Sequence, residues 1–383
     1  MNKTNLATIF ISILASLVLI EIGLRLMGIS YPEFNRLDFR YGWSPRPGVQ
    51  GTYAGESRTM MKINRAGFRD SDHAVEKPDG VLRIAVLGDS FTEAREVALE
   101  DTFWKVMESK LASCLKAKDI RPEVLSFGVN GYGTAQELLV LQDKVWQYDP
   151  DVVVLAFFTG NDIWNNSRQL DGHKDRPYFT LEDGSLALDD SNRKTLRFMA
   201  KKYWADIKHG LFNNLRFIQV ARQAYVKAKT KRRHKDVSAT EQLNAGLNPD
   251  LYLPPETPAW QNGWAVSEEI IREMSRLSKS HGAEFWLVTL SNPVQVFPDR
   301  TMRERAARSI GTIDLLYPDR RLREMAKKEE IPVITLAETL GEHALENNVQ
   351  LHGNEVIIGG HWNILGHKIG GEVIAKNLCT ALQ

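Results

Sequence analysis

The sequence has little of several features that would narrow its function at once. It contains two cysteines among 383 residues, and its formal net charge is +1, which gives no overall preference for nucleic acid. It has no glycine-rich phosphate loop and no nucleic-acid-binding motif, so nucleotides and nucleic acids are both disfavoured as partners. No cofactor is expected. The composition, 43% hydrophobic and 25% charged, is that of an ordinary globular protein with one large domain or two small ones.

Long apolar runs are also scarce, and the chain carries one near its N-terminus. Residues 6–20 are all apolar or small, and apolar character resumes through Met27, which is just long enough to span a bilayer. Glu21 and Arg25 interrupt the run, but they lie four residues apart on one helical face and near its end. A convincing small-x-small cleavage site and a lipoprotein cysteine are both missing. The sequence therefore predicts an uncleaved anchor at residues 1–29 with the remainder in a bacterial periplasm, and a cleaved signal peptide is the rival interpretation.

The two cysteines, Cys114 and Cys379, do not identify the compartment by their number. Each falls late in a predicted helix, one after the first core strand and one at the end of the chain. In an open parallel sheet covered on both faces, those two helices can lie on the same face. The positions are compatible with a disulfide, and two buried apolar thiols are the alternative.

Beyond the anchor, the chain changes character twice. Residues 30–80 are rich in proline, glycine and aromatic residues and predict an extended tether with short strands, packed on the main domain. From residue 81, apolar strands alternate with helices, which predicts an α/β fold with a parallel sheet covered on both faces. The predicted strands are 82–88, 122–127, 151–158, 284–290 and 332–336, and the predicted helices are 101–117, 134–147, 264–281, 317–329 and a terminal one.

The alternation stops for about one hundred residues, and we interpret residues 163–262 as an insertion. Because it leaves the core directly after a motif described below, we expect it to cover the site as a lid or a substrate-selecting subdomain. It contains a predicted amphipathic helix at 211–228 and a basic run at 227–235. The basic run is either a solvated helix end or a contact for anionic lipid or acidic polysaccharide.

Four motifs carry polar groups close to strand or helix ends. The first, residues 84–93, runs an apolar strand into Gly88-Asp89-Ser90, and the others occupy residues 126–134, 157–162 and 359–367. In open parallel sheets, ligand sites form at the carboxyl ends of the strands. The motifs are therefore expected to converge in space.

In this order, the four motifs resemble the sequence blocks of the SGNH, or GDSL-type, serine hydrolases, over about residues 80–383. The resemblance implies a flavodoxin-like three-layer α/β/α domain over residues 81–383 that cleaves esters. It implies Ser90 as nucleophile and His361 as general base. The oxyanion hole would consist of the backbone amides of Ser90 and Gly131 and the side-chain amide of Asn161. These are the types that acyl transfer needs, since a serine hydroxyl requires a base and the developing oxyanion requires fixed donors.

One departure from the family concerns the residue that orients His361. Many members carry an aspartate three residues before the histidine, and this chain has Ile358 there. The nearest acidic residue in the sequence is Glu355, so we predict a Ser90–His361 dyad in which another acceptor fixes the tautomer. His352 and His367 are expected to be structural. No carboxylate or cysteine stands at a recognisable ligand spacing from these histidines, so no metal is predicted.

Three functions fit these residues. The leading prediction is an anchored esterase that removes acyl groups, O-acetyl groups among them, from a glycan or a small ester through a Ser90 acyl-enzyme. The second is an O-acyltransferase that passes the acyl group to an extracytoplasmic polysaccharide, with or without polysaccharide-biosynthesis partners. The third is a noncatalytic glycan-binding or assembly protein, and the missing aspartate before His361 is its best support.

Overall fold

The computed structural model describes residues 3–233, 243, 247–354 and 358–382. The strands are β1 (Asn35–Asp38), β2 (Gly42–Pro45), β3 (Gln50–Ala54), β4 (Arg58–Lys62), β5 (Val81–Gly88), β6 (Arg121–Gly128), β7 (Val152–Phe158), β8 (Tyr178–Glu182), β9 (Ser185–Asp189), β10 (Glu284–Leu290) and β11 (Val333–Thr335). The helices are α1 (Lys3–Leu26), α2 (Ser90–Glu93), α3 (Phe103–Leu115), α4 (Thr134–Val140), α5 (Asp162–Asn165), α6 (Arg168–Asp171), α7 (Leu196–Asn214), α8 (Arg216–Arg233), α9 (Pro258–Ser280), α10 (Pro293–Val296), α11 (Arg300–Ile310), α12 (Tyr317–Lys328), α13 (Leu336–Asn347) and α14 (Ile364–Leu382).

Five parallel strands form the central sheet, in the order β11-β10-β7-β5-β6. Numbered along the chain, this is the order 2-1-3-4-5 of flavodoxin-like folds. The order reverses between β5 and β7, so a crevice is expected beyond the carboxyl ends of these two strands. The predicted α/β fold class is confirmed.

Both faces of the sheet are covered by helices. Because successive side chains of a strand point to opposite faces, Ile84 and Val86 of β5 join one core, and Ala85 and Leu87 join the other. The first core is closed by α3, α13 and α14, and the second by α4, α9 and α12. The strand residues are therefore apolar almost without a break, which explains why the strands could be predicted closely.

A disulfide joins the two helices that were expected to share a face. Cys114 lies late in α3 and Cys379 late in α14, with their Cα atoms 6.3 Å apart. The predicted pairing is confirmed. It ties the last helix to the first core helix across 265 positions of sequence.

The tether forms two small antiparallel hairpins, β1–β2 and β3–β4. Phe34, Met61 and Ile63 give it a small apolar core of its own. Farther along, the buried guanidinium of Arg69 donates hydrogen bonds to backbone carbonyls of Glu93, Ala94 and Val97. The tether is therefore fixed to the segment that follows α2.

The insertion differs from the sequence prediction in its longest helical part. The helix expected over residues 211–228 is instead two helices, α7 and α8, because Leu215 between them adopts an extended conformation. Side chains satisfy the carbonyls freed by this break: Gln219 donates to Phe212 and Asn213, and Arg25 donates to Asn214. Such tertiary caps leave no local sequence pattern.

Two other segments were singled out in the sequence, the basic run at 227–235 and the N-terminal apolar segment. Of the basic run, residues 234–235 lie outside the described residues. The N-terminal segment is a helix whose residues 5–26 have a mean hydropathy of 2.3 and stay unburied, so it is long and apolar enough to cross a membrane or to act as a signal anchor. The division into anchor (1–29), tether (30–80) and domain (81–383), with 163–262 as a lid, stays a prediction.

Candidate active site

Ser90 and His361 meet at the carboxyl end of the central sheet. Ser90 is the first residue of α2, one residue after Asp89, which links it to the end of β5. Its Oγ lies 2.8 Å from His361 Nε2, although the two residues are 271 positions apart. Ser90 retains 7% of its surface exposure. The structure thus brings together the two residues that were predicted as nucleophile and base.

A carboxylate that could not be identified from the sequence contacts the other side of the His361 ring. Glu56, in the turn between β3 and β4, lies with Oε1 2.9 Å from His361 Nδ1. Its Oε2 accepts a hydrogen bond of 3.0 Å from the His361 backbone N–H. Glu56 is therefore an acceptor that can fix the His361 tautomer, as the predicted dyad required, and the three groups form a Ser90–His361–Glu56 chain. Glu355 lies outside the described residues.

Gly360 explains how the Glu56 carboxylate comes so close to the backbone. The residue has φ +88°, and a Cβ there would lie 2.4 Å from Glu56 Oε2. Only glycine accommodates both the left-handed conformation and this contact without strain. A glycine directly before the histidine thus indicates that another group approaches the backbone closely at this position. The sequence does not show that this group is Glu56.

A second carboxylate lies near the same imidazole. Glu96 Oε1 is 3.5 Å from His361 Nδ1 and accepts a hydrogen bond of 3.2 Å from Tyr53 Oη. Burial disfavours the protonated imidazole, but Glu96 and Glu56 outweigh it and raise the pKa of His361 to about 9. Burial favours the protonated acid at Glu56 too, yet its contacts with His361 prevail and lower the pKa of Glu56. Burial raises the pKa of Glu96.

The backbone amides predicted for the oxyanion hole have no acceptor within the described part of the chain. This holds for the N–H of Ser90 and for that of Gly131, which adopts φ +75° in the loop after β6. Gly128 allows close backbone approach, because a Cβ there would lie 2.5 Å from the Glu93 nitrogen. Both amides are free to donate to a ligand.

The Asn161 side chain is tied to the nucleophile motif. Its Nδ2 donates a hydrogen bond of 3.1 Å to Asp89 Oδ2, and the same oxygen lies 3.3 Å from Ser90 Oγ. The other oxygen of Asp89 accepts from the Phe91 N–H at 2.9 Å and caps α2. Asp89 therefore orients Asn161, whose second N–H hydrogen stays available. Sequence reasoning assigned no role to this aspartate.

The loop that carries Gly131 is held from two sides. The buried carboxylate of Glu93, paired with Arg95 at 2.9 Å, accepts a hydrogen bond of 2.6 Å from the Asn130 N–H. On the other side, Trp43 of the tether donates from Nε1 to the Asn130 carbonyl at 3.0 Å, and its ring is 3.5 Å from where a Gly131 Cβ would be. The tether thus borders the site at Trp43 as well as at Glu56.

The two histidines that were predicted as structural, His352 and His367, are buried. His352 contacts Ser291 and the Gly360 carbonyl, and burial lowers its pKa to about 3. Burial also lowers the pKa of His367 to about 3, and its Nδ1 accepts from a backbone N–H. Asp162 is also buried and accepts a hydrogen bond of 2.8 Å from the Phe158 N–H, which is a structural contact.

Glu56, Glu96 and His361 also have the spacing of a metal site. Each offers one ligand atom within 4.8 Å of the other two. The sequence showed no such set, because the carboxylates come from distant segments. A metal ion there would have to replace the contact between His361 Nδ1 and Glu56, so it would compete with the hydrogen-bonded chain to Ser90.

Several solved structures are similar to this chain. Neither a family model nor a curated protein sequence matches the chain. Among solved structures, it is similar to an acetyl xylan esterase (14% identity, 79% of this chain and 100% of that one, TM-score 0.38). It is also similar to a GDSL-like lipase from Bacteroides thetaiotaomicron (12%, 81% and 93%, TM-score 0.34) and to TesA (13%, 77% and 97%, TM-score 0.37). At these values the likeness carries no argument about activity, which therefore rests on the geometry of the site.

Proposed function

We propose that this protein is a serine esterase that removes acyl groups from a glycan or a small ester through a Ser90 acyl-enzyme. The observation that carries the proposal is the hydrogen-bonded chain Glu56–His361–Ser90, with distances of 2.9 and 2.8 Å. A catalytic triad of serine, imidazole and carboxylate is recognised by the spatial arrangement of its groups, whatever their order in the sequence. The free amides of Ser90 and Gly131 are candidates for the second requirement of acyl transfer, fixed donors for the oxyanion.

In the proposed reaction, Ser90 Oγ attacks the ester carbonyl while its proton moves to His361 Nε2. Glu56 accepts from Nδ1–H, fixes this tautomer and stabilises the imidazolium that forms. The N–H groups of Ser90 and Gly131 and the Asn161 amide donate to the oxyanion. His361 then protonates the leaving alcohol, which departs as the carbonyl reforms. Water attacks the acyl-enzyme in the same manner, releasing the acid and restoring Ser90.

The noncatalytic alternative loses its main support. It depended on the missing aspartate before His361, and Glu56 occupies the position that such an acid would fill. The O-acyltransferase alternative uses the same atoms, with a sugar hydroxyl in place of water. It therefore enters as an outcome of the experiment below.

We also propose that the catalytic domain lies outside the cytoplasm, anchored by α1. The apolar segment of residues 5–26 supports the anchor. The Cys114–Cys379 disulfide supports an oxidising compartment such as the bacterial periplasm, since disulfides are rare in the cytosol. Protease protection of the domain in intact spheroplasts would contradict this location.

The decisive experiment is labelling of the full chain with a fluorophosphonate, followed by intact-mass detection. A single adduct is expected on the parent protein and none on Ser90→Ala or His361→Ala. Ser280→Ala is the matched control, because Ser280 is exposed and its hydroxyl contacts Leu277 and His281 at the end of α9. It should label as the parent does.

Two outcomes separate the candidate functions. If the folded parent forms no adduct, or if Ser90→Ala still forms one, the serine-esterase proposal is wrong. If the parent forms an adduct, an acetyl-ester donor is added with and without a glycan acceptor. Free acetate without acylated glycan supports the esterase, and acylated glycan supports the acyltransferase.

A further inference from the structure

Helix α7 presents an apolar stripe to solvent. Tyr203 and Trp204 are 66% and 68% exposed, and Leu196 is 81% exposed. The stripe consists of Leu196, Met199, Tyr203, Trp204, Ile207 and Leu211. On a period of 3.6 residues these positions fall within an arc of about 140°. One face of the helix is therefore continuously apolar and unpartnered within the described residues.

The opposite face of α7 already attaches the helix to the protein. Phe198 is buried and packs on Phe39 of the tether, with ring centroids 5.6 Å apart. Thr195 caps the helix by accepting from the Phe198 N–H. The exposed stripe is thus not needed for the packing of α7. An apolar surface of this kind, containing tyrosine and tryptophan, marks an interaction site.

The end of α7 meets the end of α1. The Arg25 guanidinium donates to the Asn214 carbonyl at the C-terminus of α7, and the Phe217 N–H donates to Glu21 at 3.2 Å. Glu21 lies five residues before the end of the apolar segment at Leu26, which is about 7.5 Å along the helix axis. If α1 spans a bilayer, the junction of α7 and α8 therefore lies at the level of the headgroups.

We propose that α7 lies on the membrane surface as an interfacial helix, with its apolar stripe in the headgroup and acyl boundary of the leaflet where α1 ends. The proposal rests on the proposed anchor. Aromatic residues on the apolar side are typical of helices that lie in the interface plane. The occupant of the stripe is thus the bilayer and not a second protein.

The charges nearby are complementary to such a surface. Arg25 and Arg216 line a cavity of about 530 Å³ at the C-terminal end of α1. Cationic side chains at this level attract anionic headgroups. The arrangement therefore favours a leaflet that contains anionic phospholipid.

Docking of α7 would also fix part of the active site relative to the membrane. Helix α8 follows directly, and its Gln223 side chain donates a hydrogen bond of 3.0 Å to the Ala54 carbonyl. Ala54 lies two residues before Glu56, in the hairpin that supplies the carboxylate to His361. A chain of contacts thus runs from the proposed membrane face to the catalytic histidine.

Single-cysteine labelling of the full chain tests the proposal, since both native cysteines are in the disulfide. Tyr203→Cys and Ile207→Cys report on the stripe, Leu19→Cys on α1, and Ile313→Cys on an exposed apolar residue elsewhere. Each variant carries an environment-sensitive fluorophore and is reconstituted in phosphatidylcholine and phosphatidylglycerol vesicles. Some lipids carry nitroxide quenchers, placed either near the headgroups or near the bilayer centre.

We expect labels at 203 and 207 to be quenched by shallow nitroxides at least about twofold more than the label at 313. The label at 19 should be quenched by deep ones. If 19 is quenched but 203 and 207 behave like 313, α1 is inserted and the stripe does not touch the bilayer, which overturns the docking proposal alone. If 19 is not quenched either, the anchor and the docking proposal both fail. Neither result alters the test of Ser90 by fluorophosphonate.

Discussion

Two carboxylates act on His361 in different ways. Glu56 makes the direct hydrogen bond to Nδ1 and to the backbone N–H, so it sets the tautomer and the ring orientation. Glu96 stands farther away, at 3.5 Å, with little exposure, and its negative charge favours the protonated imidazole. The two residues should therefore affect different kinetic quantities.

Replacement of Glu56 tests the orienting role. Glu56→Gln keeps the shape but cannot stabilise the imidazolium, so we expect kcat/KM for p-nitrophenyl acetate to fall at least about 100-fold. Glu355→Gln is the control, because Glu355 is the acidic residue nearest to His361 in the sequence. A large loss in Glu355→Gln together with a small one in Glu56→Gln would reverse the assignment.

The pH dependence tests the role of Glu96. The base must be neutral, and the pKa of His361 is raised to about 9, so kcat/KM should rise with pH until about pH 9. At pH 7 only roughly one His361 in a hundred is neutral. Glu96→Gln removes a negative charge, so the rising limb should move to lower pH and the rate at pH 7 should increase.

The matched control for that experiment is Glu100→Gln, since Glu100 lies four residues along and is exposed. Its profile should coincide with that of the parent. A Glu96→Gln profile that does not move, or that moves to higher pH, would show that Glu96 does not govern the protonation of His361.

At the residue scale, the sequence could identify Ser90 and His361 because each stands in a recognisable motif. Glu56 could not be identified in this way, since it lies 305 positions from His361 in a hairpin with no motif of its own. The contact depends on how the tether folds back on the sheet. Proximity in sequence pointed instead to Glu355.

At the scale of elements, the predicted core strands agree with the observed ones to within a residue or two. Their sequences are largely apolar, and burial on both faces favours such sequences. The break at Leu215 could not be predicted, because the carbonyls at the end of α7 are capped by Gln219 and Arg25. A helix can end where hydrogen-bond donors are available to its last carbonyls, and here the tertiary fold supplies those donors.

The disulfide gives a prediction at this scale. In the chain-entropy account, a crosslink between residues 265 positions apart restricts the unfolded chain strongly, and removal of a native disulfide typically costs about 2–5 kcal/mol. Cys114→Ser combined with Cys379→Ser should lower the free energy of unfolding by this order, as measured by urea denaturation in detergent. The denatured parent should show no free thiol before reduction and two afterwards. Free thiols before reduction would contradict the pairing.

At the scale of the whole molecule, the active site is shared between parts that are far apart in the chain. The sheet supplies Ser90, the C-terminal segment supplies His361, and the tether supplies Glu56 and Trp43. The parallel sheet could be predicted from the alternation of elements. The place of the tether could not, because its short strands are stabilised by contacts with the rest of the molecule.

Arg69 is the residue through which this dependence can be tested. It is 1% exposed, and its guanidinium donates to three carbonyls between Glu93 and Val97, the segment that also carries Glu96. Arg69→Met would remove the side-chain donors of these carbonyls. The Ala94 carbonyl would keep the Val97 N–H at 3.4 Å, while each buried carbonyl left without a donor costs about 1–3 kcal/mol. We expect a loss of several kcal/mol in the free energy of unfolding, together with slower fluorophosphonate labelling of Ser90.

Arg65→Met is the matched control, because Arg65 lies in the same tether but its side chain is 87% exposed and pairs only with Asp72. A surface pair of this kind contributes at most about 1 kcal/mol, so stability and labelling should stay close to those of the parent. If Arg69→Met lowers stability but leaves the labelling rate of the remaining folded protein unchanged, the tether stabilises the fold without positioning the site. Arg69 and Glu56 lie in the same tether. If the tether positions the active site, Arg69→Met should therefore lower both the stability and the labelling rate of Ser90.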